Sequence, residues 1–125
     1  MTIAELIKDA HERAKRKGWW DRQAEKCDCE EHRGELDRDE VEATIPEKLA
    51  LIHSEVSEAL EAYRDGELGT LLDNGKPEGF AVELADVVIR IADLCGALGI
   101  DLEEAIKLKS EYNETRPHRH GGKRA

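Results

Sequence analysis

Apolar residues recur along most of this chain every three or four positions, the spacing that gathers them on one face of an α-helix. The clearest stripe consists of Phe80, Leu84, Val87, Ile91, Leu94 and Leu98. The alternation of apolar and polar residues that is typical of half-buried strands is nearly absent. The period therefore predicts an all-α fold.

Helix-capping signals divide this pattern into four helices. Three positions pair an N-cap side chain with an acid three residues later: Thr2 with Glu5, Thr44 with Glu47, and Asp101 with Glu104. The predicted helices span about 3–17, 46–64, 79–98 and 101–116, and the last ends before Pro117 because a residue preceding proline avoids helical geometry. Four helices with mostly short connections predict a four-helix-bundle-like fold.

The remaining segments separate or follow these helices. The chain of 125 residues suits a single domain, which we predict to span 1–125. Residues 21–45 are dense in charge and poor in apolar side chains, so we expect an exposed connector. Residues 65–79 are rich in turn residues and are predicted to form a loop. Residues 117–125 make a basic tail that contains glycine.

The charge balance limits the partners of the protein. The net charge is −10, from 29 acidic and 19 basic residues, which opposes nonspecific binding to nucleic acid. No apolar run approaches the length of a membrane span, and the N-terminus lacks the pattern of a signal peptide. We therefore expect neither a nucleic-acid partner nor a membrane association.

The cysteines and the small apolar content bear on compartment and assembly. Three cysteines, an odd and small number, favour a reducing cytoplasm over a disulfide framework. Cys27, Cys29 and His32 offer at most three zinc ligands, so a zinc site is not expected there. Leu, Ile, Val and Phe make up about a fifth of the chain, which predicts a thin core. A homo-oligomer, dimer or tetramer, would complete such a core.

Two helices carry carboxylates where their apolar faces should be. Glu55 lies inside the apolar arc of the second helix and Glu58 at its edge, while Glu83 and Asp86 flank the stripe of the third. Four converging acids would repel one another, so they must protonate, pair with cations or bind a metal. Oxygen-only ligation suits Mg²⁺, with Mn²⁺ as an alternative. Otherwise these acids are solvated flanks of ordinary amphipathic helices, paired with Lys48 and Arg90.

Candidate substrate contacts lie near both ends of the chain. Lys109, Asn113 and Arg116 share one helix face and form a plausible cradle for phosphate oxygens, or else a basic turn that complements the helix dipole. Of Trp19 and Trp20, one is expected to close the core and the other to stack on a nucleobase.

The carboxylates also carry a resemblance to a known family. The segments "EVSE" (55–58) and "ELAD" (83–86) resemble the ExxE…ExxD signature of the MazG-like all-α nucleotide pyrophosphohydrolases. The similarity continues through "AHERAKRKGWWD" near the N-terminus and through the ending in which lysine, asparagine and arginine precede "HGGK". It covers nearly the whole chain except about 25–43.

The resemblance implies an activity and a set of site residues. It implies a Mg²⁺-dependent enzyme that cleaves the α–β phosphate bond of nucleoside triphosphates, with a house-cleaning role in the nucleotide pool. The implied metal ligands are Glu55, Glu58, Glu83 and Asp86, of which Glu55 and Glu58 are also the catalytic candidates. The implied substrate contacts are Lys109, Asn113, Arg116, Trp20 and Lys123, with His120 and Arg124 as further candidates from the tail.

One position departs from the family pattern. Many relatives have two adjacent glutamates where this chain has Ser54 and Glu55, and serine cannot act as a carboxylate base. Either Glu47 or Glu61 takes its place, or the metal activates water alone.

Two other functions remain open from the sequence. A narrower hydrolase, such as a deoxyuridine triphosphatase, would differ only in its base pocket. A non-enzymatic helical module for metal binding or oligomerisation would use the acids for solubility and helix pairing. A ferritin-like di-iron protein would need Glu-x-x-His ligand pairs, which this chain lacks.

Overall fold

The chain is mostly helical in the computed structural model, which describes residues 1–22, 34–69 and 71–117. The helices are α1 (Ile3–Arg16), α2 (Arg38–Ala43), α3 (Ile45–Arg64), α4 (Phe80–Leu98) and α5 (Leu102–Thr115). A short antiparallel hairpin precedes α4 and consists of β1 (Leu71–Asp73) and β2 (Lys76–Glu78). The predicted helical character is confirmed. Within these described residues, no helix combines the length and apolarity that a membrane crossing requires.

The caps of the long helices follow the sequence signals at two of three positions. The side chains of Thr2 and Asp101 each accept the backbone N–H of the residue three positions on, at 3.0 Å. Thr44 does not cap α3 with its side chain, which corrects the third predicted box. Its hydroxyl instead donates to the carbonyl of Val41 at 2.7 Å, because Thr44 also ends α2 in a helical conformation.

Helix α2 lies within the stretch where the sequence predicts a connector, and this corrects that prediction. Asp37 and Glu40 form a reciprocal capping box at its start, a D-x-x-E signal that the charge density of the segment obscured. Val41 of this helix is buried against Trp20. Arg22 donates to both carboxylate oxygens of Glu40 and holds the pKa of that acid at about 2. The helix is thereby tied to the segment that follows α1.

The hairpin before α4 corrects the prediction of an unstructured loop at 65–79. Its two-residue turn is Asn74–Gly75, and both residues have positive φ angles (51° and 83°), as hairpin turns of this length require. At its base Gly79 has a φ of 114°, and a Cβ there would lie 2.2 Å from the carbonyl oxygen of Gly69. Only glycine fits this approach, and it fixes where α4 begins.

Helix α4 is the central element and packs against α1 on one side and α3 on the other. The buried residues at these contacts are mostly small: Ala10, Ala14, Ala59, Ala62, Ala92 and Cys95. A Cβ at Gly96 would lie 2.5 Å from the Cβ of His11, so α1 and α4 approach one another closely. Among the described residues, no large side chain is less than 2% exposed, which agrees with the predicted thin core.

A buried polar group joins α1, α4 and the segment after α1. Asp93 of α4 accepts the indole N–H of Trp20 at 2.8 Å, and the same oxygen lies 2.9 Å from Nδ1 of His11. Trp20 is only 2% exposed, and the Lys48 ammonium lies 4.4 Å from the centre of its ring. This network sets the position of α1 relative to α4.

Candidate metal centre

Three of the four predicted carboxylates meet between α3 and α4. One oxygen from each of Glu55, Glu83 and Asp86 lies within 4.8 Å of the others, and all three residues are half-buried. Glu58, the fourth, is exposed and lies outside this group. We call Glu55, Glu83 and Asp86 the acidic cluster.

The packing of α3 on α4 explains why these acids meet. The alanines Ala59 and Ala62 are buried and let α3 approach α4 closely, and Glu55 lies one turn before Ala59. On α4, Glu83 and Asp86 are one turn apart and therefore neighbours on the helix surface. Two closely packed helices thus bring acids that are distant in sequence to one point.

The cluster is electrostatically costly when it is fully ionised. Burial raises the pKa of Glu83, and the charges of Asp86, Glu55 and Glu58 raise it further. Burial also raises the pKa of Asp86, with the charge of Glu55 as the next cause. Lys76 of the hairpin opposes both shifts, and Arg90 opposes the shift of Asp86. A bound cation would relieve this strain because it favours the charged forms.

The donor set fits a hard divalent cation. Mg²⁺ binds oxygen ligands at about 2.1 Å, so adjacent ligands of one ion lie roughly 3 Å apart and opposite ligands roughly 4.2 Å apart. The oxygens of the acidic cluster lie within 4.8 Å of one another, which puts one ion within reach of all three. All three are carboxylate oxygens, the ligand type that Mg²⁺ and Mn²⁺ prefer.

Arg90 also lies at the cluster. It follows Asp86 by one helical turn, and its Nε donates to Oε1 of Glu55 at 2.7 Å. The sequence offered both Lys48 and Arg90 as cationic partners for the acids. Arg90 takes this role, whereas Lys48 lies over Trp20.

A groove of about 290 Å³ opens beside the cluster. Glu55 and Asp86 form one part of its wall, and α1 and the residues after it contribute Arg13, Lys17 and Trp19. The Trp19 side chain is 51% exposed, so an aromatic face is available to a ligand there. Cations, carboxylates and an aromatic ring therefore line one groove.

The predicted substrate contacts lie in different places. Trp20 is in the core, so Trp19 is the tryptophan that a ligand in the groove would meet. Lys109 and Asn113 are exposed on α5, Arg116 is half-buried at its C-cap, and none of the three lines the groove. Lys109 lies 5.0 Å from the ring centre of Tyr112, and Arg116 lies 5.9 Å from it. The predictions for Lys123, His120, Arg124, Cys27, Cys29 and His32 fall outside the described residues.

Ser54, the position that departs from the paired-glutamate pattern of the resemblance, is engaged within its own helix. Its hydroxyl donates to the carbonyl of Leu51 at 2.6 Å. Glu61, one of the acids suggested as a replacement base, pairs with Arg64 at 3.0 Å and is exposed. Glu47 is exposed in the first turn of α3.

Sequence reasoning did not assign site roles to Lys76, Arg13 and Lys17. The Asn-Gly turn at 74–75 signals a hairpin that would carry Lys76 toward the start of α4. Arg13 of α1 and Lys17 at its C-cap are four residues apart, on the side of the helix that also carries Ala10 and Ala14. Their relation to the acids depends on how α1 crosses α4, which no local pattern encodes.

Comparison of this chain with protein-family models, with curated proteins and with solved structures finds no match.

The raised pKa of Glu83 leads to a prediction about stability. Because its folded-state pKa lies above its ordinary value, ionisation costs stability as the pH rises through the folded pKa. We expect Glu83→Gln to raise the free energy of unfolding at neutral pH in EDTA, and this gain to vanish below the ordinary glutamate pKa. Urea unfolding at several pH values measures it. A loss of stability at neutral pH in EDTA would contradict the proposed repulsion.

Proposed function

We propose that this protein is a Mg²⁺-dependent nucleoside triphosphate pyrophosphohydrolase with a MazG-like four-helix-bundle fold. Water attacks the α or the β phosphorus, the bond from the attacked phosphorus to the α–β bridging oxygen breaks, and the products are a nucleoside monophosphate and pyrophosphate. The observation that carries the proposal is the acidic cluster, whose oxygens lie within 4.8 Å of one another, beside a groove lined by an exposed tryptophan and three cations, Arg13, Lys17 and Arg90. The ExxE…ExxD resemblance supplies the reaction type.

The acids and cations have complementary roles in this proposal. Glu55, Glu83 and Asp86 would hold Mg²⁺, and Glu58 lies outside this group. When bound, the ion neutralises phosphate charge and lowers the pKa of water. Glu58 is exposed to solvent beside the cluster, and we propose that it is the general base that accepts a proton from the attacking water. This assignment replaces the base that Ser54 cannot supply.

The groove positions the nucleotide. The exposed face of Trp19 stacks on the base, a contact that any base can make. Arg13 and Lys17 attract the phosphates, which a protein of net charge −10 would otherwise repel.

A product assay tests the proposed reaction. The protein is incubated with each ribo- and deoxyribonucleoside triphosphate and MgCl₂, and the products are resolved by phosphorus NMR. We expect monophosphate and pyrophosphate in equal amounts, and none of either in EDTA. Release of orthophosphate with a nucleoside diphosphate, or no turnover of any nucleotide with Mg²⁺ or Mn²⁺, would contradict the proposal.

Exposed apolar faces support assembly into a homo-oligomer, which we include in the proposal. Five large side chains on α3 and α4 are 45–59% exposed at helical spacing: Val56, Leu60, Tyr63, Leu84 and Val88. A second copy of the chain would cover them and complete the thin core.

A charge on this face should separate the copies. We expect Leu60→Lys to lower the molar mass measured by light scattering after gel filtration, because burying an unpaired ammonium opposes association. Leu72→Lys is the matched control, since Leu72 is 75% exposed on the hairpin, away from α3. A wild-type protein that is monomeric at micromolar concentration would contradict this part of the proposal.

A further inference from the structure

Arg90 is held between two parts of the groove. Its Nε donates to Glu55 at 2.7 Å, and the side chains of Arg90 and Glu55 are only 24% and 15% exposed. On its other side, the guanidinium carbon lies 5.0 Å from the ring centre of Trp19. Arg90 therefore connects the acidic cluster to the aromatic face at the end of α1.

A divalent cation cannot join this arrangement without a cost. An ion about 2.1 Å from a Glu55 oxygen would lie within a few ångströms of the guanidinium that the same carboxylate accepts. Both are cations in a partly shielded site, where screening by water is weaker than at an open surface. The ion and the docked Arg90 thus compete for Glu55.

We propose that Arg90 is an internal counter-cation that occupies the acidic cluster until a divalent cation displaces it. This role rests on the metal site of the proposed function and adds a residue that the resemblance did not assign. In the ligand-free state Arg90 neutralises Glu55 and covers part of the Trp19 ring. On arrival of the ion, Arg90 leaves Glu55 and the surroundings of Trp19 change.

Two consequences distinguish displacement from a purely structural ion pair. Removal of Arg90 tightens cation binding, because the docked arginine lowers the fraction of protein that can bind. The same change destabilises the metal-free protein, since it leaves Glu55 without its partner. If Arg90 only held Glu55 in place for the ion, its removal would instead lower both the Mg²⁺ affinity and the stability of the protein.

The test titrates MgCl₂ alone into the full chain by calorimetry. We expect Arg90→Gln to lower the dissociation constant about fivefold or more. The melting temperature in EDTA should fall, and circular dichroism confirms that the variant is folded. Arg90→Lys keeps the charge without the Nε donor, so its Mg²⁺ dissociation constant should lie between those of the wild type and Arg90→Gln. Arg64→Gln is the control, because Arg64 also pairs with a glutamate of α3, the exposed Glu61, but away from the acidic cluster.

Tryptophan fluorescence supplies an independent readout. Mg²⁺ should change the emission of the wild-type protein, and Trp19→Phe or Arg90→Gln should abolish the change, while buried Trp20 remains a constant background. Unchanged or weaker Mg²⁺ affinity in Arg90→Gln would overturn the inference and leave the proposed function standing. Mg²⁺ binding with these Arg90 effects, but no nucleotide turnover, would overturn the function alone. Absence of Mg²⁺ binding in every variant would overturn both.

Discussion

Asp86→Asn should lower nucleotide turnover by at least about 100-fold. Loss of a residue that only supports a metal ligand typically costs about 10- to 100-fold, and Asp86 is itself a proposed ligand. Asp86 is a member of the acidic cluster, and its replacement by an amide removes a charge that Mg²⁺ requires. The helix should remain intact, because the pKa of Asp86 is raised and its ionised form does not stabilise the fold. Pyrophosphate release under saturating Mg²⁺ and substrate measures the loss.

Two further variants make this test specific. Glu58→Gln should also lose turnover, since Glu58 lies near enough to raise the pKa of Glu83 and is the proposed proton acceptor. Glu61→Gln should keep the wild-type rate, because Glu61 is exposed and pairs with Arg64 away from the cluster. If Asp86→Asn and Glu58→Gln both retained normal rates with unchanged circular dichroism, the metal-centre assignment would be wrong.

Asp93→Ala should lower the free energy of unfolding by about 2–4 kcal/mol, the second large effect we expect. The substitution removes the one carboxylate that accepts from both Trp20 and His11, and it leaves a buried indole N–H without a partner. Asp93 is 8% exposed, so water does not readily replace the lost contact. Urea unfolding followed by circular dichroism measures the change.

The controls for this prediction lie on the same helices. Asp9→Ala removes an exposed partner of Arg13 on α1 and should cost at most about 0.5 kcal/mol. Asp93→Asn keeps an oxygen acceptor for Trp20, so its free energy of unfolding should lie between those of the wild type and Asp93→Ala. Equal costs for Asp93→Ala and Asp9→Ala would show that the buried network does not stabilise the contact of α1 with α4.

Local patterns in the sequence were sufficient for the helices and for much of the acidic cluster. The apolar period and the caps at Thr2 and Asp101 predicted four long helices close to their observed bounds. Carboxylates at i, i+3 beside apolar stripes pointed to acids that face a neighbouring helix. Two local signals were overlooked, the Asp37–Glu40 box and the Asn74–Gly75 turn, because charge and turn residues dominated those segments.

The roles of the two tryptophans could not be read from adjacent positions in the sequence. Trp20 packs against Ala14 and Val41 in the core, where Asp93, 73 residues away, accepts its N–H, whereas Trp19 lines the groove. Arg90 illustrates the same limit, because its pairing with Glu55 depends on the crossing of α3 and α4. The α5 residues Lys109 and Asn113 share a face as predicted, but no local pattern indicates which surface that face meets.

The sequence by itself determined the helical period, the capping of the helices and the placing of paired carboxylates on two of them, because these depend on contacts within a few residues. The tertiary structure alone decided that Glu55 meets Glu83 and Asp86, that Arg90 lies against Glu55, and that Trp19 rather than Trp20 lines the groove. These outcomes depend on how closely α1 and α3 approach α4. That approach is set by the combined packing of small residues such as Ala59 and Gly96 over long sequence separations.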